Sequence, residues 1–163
     1  MKRLLLSSAV LLMALQLAPA QDTAFRYNAT GLEVKAPDQM KVLVEKLDPD
    51  AQAWGLNDKN IRSEIEEKLK SARITPLPED DFSLPYRLYL EIQLLDTVFH
   101  LRVTFERVVS YRVGKKEFHT FASVFHRNSI GINSKKDGNH LLRILHTFLD
   151  DFVQAFAQAN AEK

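Results

Sequence analysis

The sequence predicts a two-layer α+β domain, a mostly antiparallel sheet of about four or five strands with two helices packed on one face. Three observations lead there. Residues 86–127 contain three long runs in which apolar and polar side chains alternate, the period of a half-buried strand. Residues 58–73 and 139–156 instead repeat apolar side chains at helical spacing. The second helical stripe is too wide to face water, and the alternating runs are the only surface large enough to receive it.

Taken in order, Lys2 and Arg3 precede an apolar run over residues 4–17 and the small-residue exit Ala18-Pro19-Ala20. This is the layout of a secretory signal cleaved after Ala20. The run is shorter than the roughly twenty residues of a membrane span. Later apolar runs are soon broken by charge, so no transmembrane anchorage is expected once the signal is removed. An uncleaved amino-terminal anchor is the alternative. Residues 21–40 hold Phe25, Tyr27, Gly31 and Pro37 without a sustained period and read as a loosely held lead-in. Asn28-Ala29-Thr30 fits an N-glycosylation acceptor, a triplet that also arises by chance. A single domain is expected over residues 41–163.

Within it, Val42 and Val44 among charged neighbours predict a first strand over 41–47, ended by Asp48-Pro49-Asp50. Asn57 is suited to cap a helix, with Leu56 and Ile61 at the positions of a hydrophobic staple. Ile61, Ile65, Leu69 and Ala72 form its buried stripe, and it ends near Arg73 ahead of a short strand over 74–77. On the first long strand Tyr86, Leu88, Leu90, Ile92 and Leu94 share a face. After a turn at Asp96-Thr97, the second aligns Phe99, Leu101, Val103, Phe105, Val109, Tyr111 and Val113, with a bend or bulge expected near Arg107. A turn centred on Lys115-Lys116 would return Phe118, Thr120, Ala122 and Val124 along that face, opposite Val113, Tyr111, Val109 and Arg107. Residues 128–138 read as a polar loop in which Gly131 and Gly138 supply backbone freedom. Asn139 opens the final helix.

Composition narrows the function classes. There are 22 Lys and Arg against 21 Asp and Glu, a net charge of +1, and the signal would remove two of the basic residues. This balance points away from nucleic acid and other polyanions. With no cysteine there is no disulfide, thiol nucleophile, lipid-modified cysteine or cysteine-ligated metal. The chain is long enough to bury one core without such staples. The expected compartment is extracytoplasmic, periplasmic or secreted, most simply a bacterial periplasm.

No catalytic, cofactor-binding or metal-binding set emerges. His119 and His126, seven apart on one strand, should point to opposite faces, and His140 and His146 do not share a helical side. There is no Gly-x-Ser-x-Gly elbow, and Ser110, Ser123 and Ser129 lack a visible base. Asp80-Asp81 and Asp150-Asp151 are sequence neighbours whose side chains diverge. No cofactor is expected.

The candidate site is therefore a surface. Alternation puts Arg102, Glu106 and Arg112 of one strand, and His119, Phe121, Phe125 and Arg127 of the next, on the face away from the helices. Aromatic side chains among arginines suit a protein partner. The plainer reading is that Phe121 and Phe125 are covered by residues 21–40 or act as cross-strand stabilisers.

At Ala53-x-Gly55-Leu56, followed by Ile61, Ile65-Glu66 and the run Leu69 to Ile74, and with Gly131 ahead of a closing amphipathic helix, the chain resembles small exported bacterial proteins of unknown function. Over about residues 41–157 its layout is also similar to the amino-terminal α/β domain of the periplasmic Tol-system propeller proteins, without any propeller repeat. The resemblance implies a setting in the cell envelope and carries over no functional residue. The leading expectation is a periplasmic interaction module contacting another cell-envelope protein through this sheet face or an exposed edge, with a strand-paired homodimer as one form. The alternatives are a carrier of small apolar ligands with a pocket between helices and sheet, and, last, a hydrolase built from dispersed residues.

Overall fold

A computed structural model describes residues 31–161 of the chain. The signal, Phe25, Tyr27 and the Asn28 triplet lie outside the described residues. The elements are β1 (Gln39–Val44), a 3₁₀ turn (Pro49–Trp54), α1 (Asp58–Ser71), β2 (Thr75–Leu77), β3 (Tyr86–Leu95), β4 (Val98–Val113), β5 (Lys116–Ile132) and α2 (Gly138–Asn160). The strands form one sheet in the order β2-β1-β3-β4-β5. β3, β4 and β5 are an antiparallel meander, whereas β1 runs parallel to both β2 and β3. The fold is thus α+β with a mostly antiparallel sheet.

The local chemistry of each element follows its residues. Asn57 caps α1, its side-chain oxygen accepting from the Asn60 amide at 2.9 Å. The helix stops at Arg73, whose φ of +63° lets the Ile74 amide reach the Leu69 carbonyl at 2.9 Å. Ile61, Ile65 and Leu69 of α1 meet the buried side chains of β1 and β3 in one core, joined by Leu141, Leu145, Leu149, Phe152 and Phe156 of α2. Its centre is aromatic: Phe105, Phe125, Phe152 and Phe156 are all buried, with adjacent ring centroids 5.4 to 5.8 Å apart. Both helices therefore cover the same sheet face.

Several boundaries differ from expectation. β1 begins at Gln39 rather than Lys41, because Met40 and Val42 are the inward residues of a strand flanked on both sides. Residues 31–40 are not loosely held: Leu32 and Val34 are buried, and Asn160 of α2 clamps them, accepting from the Val34 amide and donating to the Leu32 carbonyl. The domain therefore starts before residue 41. β5 continues to Ile132, so the polar loop shrinks to residues 133–137. The polar residues at 128 and 129 read as loop because an outer strand with one solvated face tolerates them. The hairpin turn is Gly114-Lys115, flanked by the pair Val113 and Lys116. Gly114, at φ +61°, supplies the left-handed position that a two-residue turn needs.

Helix α2 opens one residue earlier than expected, with Asp137 as its cap, accepting from the Asn139 amide at 3.0 Å. Gly138 serves contact rather than freedom. A Cβ there would lie 2.2 Å from the Trp54 carbonyl oxygen, so only glycine lets the start of α2 seat on the 3₁₀ turn.

Candidate interaction surfaces

A single β-bulge decides which side chains reach the candidate surface. Phe105 pairs with Phe125 and Glu106 pairs with Ser123, so Val124 is the extra residue. The irregularity falls one step before the expected Arg107, and the added residue is on β5 rather than β4. One inserted residue exchanges the faces of everything beyond it. Phe125 is consequently turned into the core, 1% exposed, and not onto the outer face. Arg127 moves with it, pairing with Asp151 of α2 at 2.7 Å. His126, opposite Thr104, joins His119 on the outer face instead of opposing it.

The outer face keeps Arg102, Glu106, Arg112, His119 and Phe121 of the candidate set. The inner three are engaged with neighbouring strands. Arg87 of β3 pairs with Glu106 at 2.7 Å and lies 3.9 Å from the centroid of the Phe121 ring, a cation–π contact. Arg102 pairs with Glu91. Tyr89 donates its hydroxyl to Glu45, and burial, reinforced by that carboxylate, pushes the phenol up to about 12. Beyond the core strands, Arg112 stands opposite Glu117, and His119 shares a 2.8 Å hydrogen bond with Ser110. This face is a ladder of cross-strand pairs, in which the buried Arg102 Nε is left without a hydrogen-bond partner among the described residues, not a free cationic surface.

The residues missed are those of the hairpin itself. β4 has 16 residues, a length of about 53 Å at strand rise, whereas α2 with 23 residues spans about 35 Å. β3 covers β4 only as far as Arg107. Past that point the ends of β4 and β5 project as a two-stranded arm with no neighbouring strand among the described residues. Val109, Tyr111, Val113 and Phe118, assigned from periodicity to the covered face, are uncovered there; Tyr111 and Val113 are 50% and 61% exposed. Tyr111 and Phe118 stack across the strands, 5.4 Å apart with their planes 18° from parallel. Strand length was the sequence signal that locates this arm.

At the opposite end of the sheet a groove of about 740 Å³ runs between residues 45–49 and the end of β3, and continues over Val98, His100 and Ile130. Among the described residues no group of three or more His, Asp or Glu is placed to hold a metal. Ser110 and His119 are close enough for a nucleophile and base. Yet both are exposed, and among the described residues no other side chain orients the imidazole, as a working pair requires. No helix among the described residues is long and apolar enough to cross a membrane.

Comparison with known proteins finds no matching family model, curated protein or solved structure. Fold and surface together define the class: an α+β domain with a filled core, an outer sheet face of charged cross-strand pairs and a projecting hairpin that exposes an aromatic pair.

Proposed function

We propose that this chain is an exported interaction module that presents the β4–β5 arm to another protein of the cell envelope. The observation that carries the proposal is the arm, where aromatic and branched side chains stack in the open instead of joining the core. An isolated two-stranded hairpin is at best marginally stable in water, and aromatic residues of this kind are enriched at the centres of protein interfaces. The amino-terminal sequence supports the envelope setting. The interior supports the interaction reading over a carrier with a pocket between helices and sheet, because Phe105, Phe125, Phe152 and Phe156 fill that space.

The absence of cysteine makes a clean test available. Single cysteines at Val113 on the arm and Lys59 on the exposed side of α1 are labelled with a photoactivatable maleimide and irradiated in the host envelope. The arm site is expected to form a discrete adduct with one envelope protein, abolished by Tyr111→Asp. Equal adducts from both sites, or none from Val113→Cys, overturn the proposal.

A further inference from the structure

We infer that the groove beside the end of β3 is a second, independent binding site, one that accepts an extended peptide from a partner protein as an added strand. It does not rest on the arm. The ladder between β1 and β3 ends at the pair Val44 and Leu90, with the Glu45 amide donating to the Leu90 carbonyl at 2.8 Å. Backbone groups alternate in direction along a strand, so if Leu90 faces β1, Ile92 and Leu94 aim their N–H and C=O groups the same way. Among the described residues no strand meets them there.

The gap is held open. Residues 46–49 leave the sheet: the Leu47 amide donates to the Asp58 side chain at the start of α1, 3.3 Å away, and Pro49 has no amide to offer. The departing segment and β3 thus become two walls, and the groove of about 740 Å³ lies between them. Its lining explains the chemistry of the occupant. Unmet main-chain donors and acceptors match another main chain in extended form, the β-augmentation mode of recognition. Side chains of an added strand would alternate between Leu47, Ile92 and Leu94 on one side and the exposed Leu95 on the other, so apolar residues at alternate positions fit.

The test uses the full mature chain and two probes: a decapeptide of alternating valine and threonine with terminal lysines, and the same peptide N-methylated at every second residue on the edge-facing side. Amide hydrogen exchange, resolved by residue, reads the edge directly. The unmodified probe is expected to slow exchange at Ile92 and Leu94 by about tenfold or more at saturation, and the N-methylated probe to leave it unchanged. The variant Leu95→Lys, at an exposed position, is expected to weaken the unmodified probe about tenfold with the unfolding midpoint retained. Equal binding of both probes, or perturbation confined to Tyr111 and Phe118, overturns the proposal. So does protection of Ile92 and Leu94 before any probe is added. If dilution removes that protection, the occupant is a second copy; if it persists, the chain fills its own groove.

Discussion

Individual side chains carry contrasts that mutation can read. Phe121 and Phe125 are four residues apart on one strand, and the bulge at Val124 separates their fates. Phe125→Ala empties a position among Phe105 and Phe152 and is expected to cost about 3–5 kcal/mol in urea unfolding. Phe121→Ala removes an exposed ring held by Arg87 and is expected to cost under about 1 kcal/mol. Equal losses would mean that the register lacks the bulge. Gly138→Ala drives a methyl group into the Trp54 carbonyl and is expected to destabilise by about 1–3 kcal/mol. Arg73→Gly, at a left-handed helix end, should stabilise by about 1 kcal/mol. Tyr89 sets an alkaline limit. Its folded pKa of about 12 exceeds the ordinary 10.0, so the neutral phenol favours the folded state. That contribution is intact below pH 10 and is lost as pH rises toward 12. Phenolate absorbance of the wild type minus that of Tyr89→Phe should reveal the late titration; a midpoint near 10 refutes it.

At the scale of elements, the arm and the body separate. The residues of the arm beyond Arg107 lie outside the aromatic core, and past Val108, whose amide donates to the Pro85 carbonyl at 2.7 Å, they pair along β4 and β5 with each other. Replacing residues 110–119 with Asn-Gly would close the hairpin after Val109 and Thr120, which already face each other. The shortened chain is expected to keep its unfolding free energy within about 1 kcal/mol. A large loss of stability would assign the arm a structural role instead. The helices are bound more firmly, since Ile61, Ile65 and Leu69 of α1 and Leu145, Leu149, Phe152 and Phe156 of α2 are buried in the shared core, with the pairs of Lys68 with Asp150, Glu64 with His146 and Arg127 with Asp151 at its rim.

For the whole molecule, one core joins both helices to the sheet, and its packing predicts one cooperative transition. Trp54 is the chain's single tryptophan, and it is buried where the 3₁₀ turn meets α2 and Phe99. Its fluorescence and the far-ultraviolet circular dichroism should therefore change together in urea. Separate midpoints would show that the α2 end opens independently of the sheet.

Much of this architecture was legible in the residues, because local periodicity and caps are written along the chain. The inward face of β3, the Asn57 cap, the stripe of α1 and the breadth of the α2 stripe follow from spacing alone. Part of the candidate surface was legible too: Arg102, Glu106, Arg112, His119 and Phe121 lie on the face that alternation assigns them. What spacing leaves open is anything settled between strands distant in sequence. The place of β1 between β2 and β3 depends on parallel pairing across a crossover, and it is this order that leaves the edge of β3 beyond Leu90 without a strand partner among the described residues. The bulge is a contest over which side chain fills the space beside Phe152, won by Phe125 at the expense of one ladder step. Arg127 and His126 changed faces with it. The arm emerged because strand rise outruns helix rise, so β4 and β5 extend past their cover. The sequence by itself determined the elements and the face each prefers; the tertiary structure alone decided their order, register and exposure, because these depend on contacts between residues that no local pattern brings together.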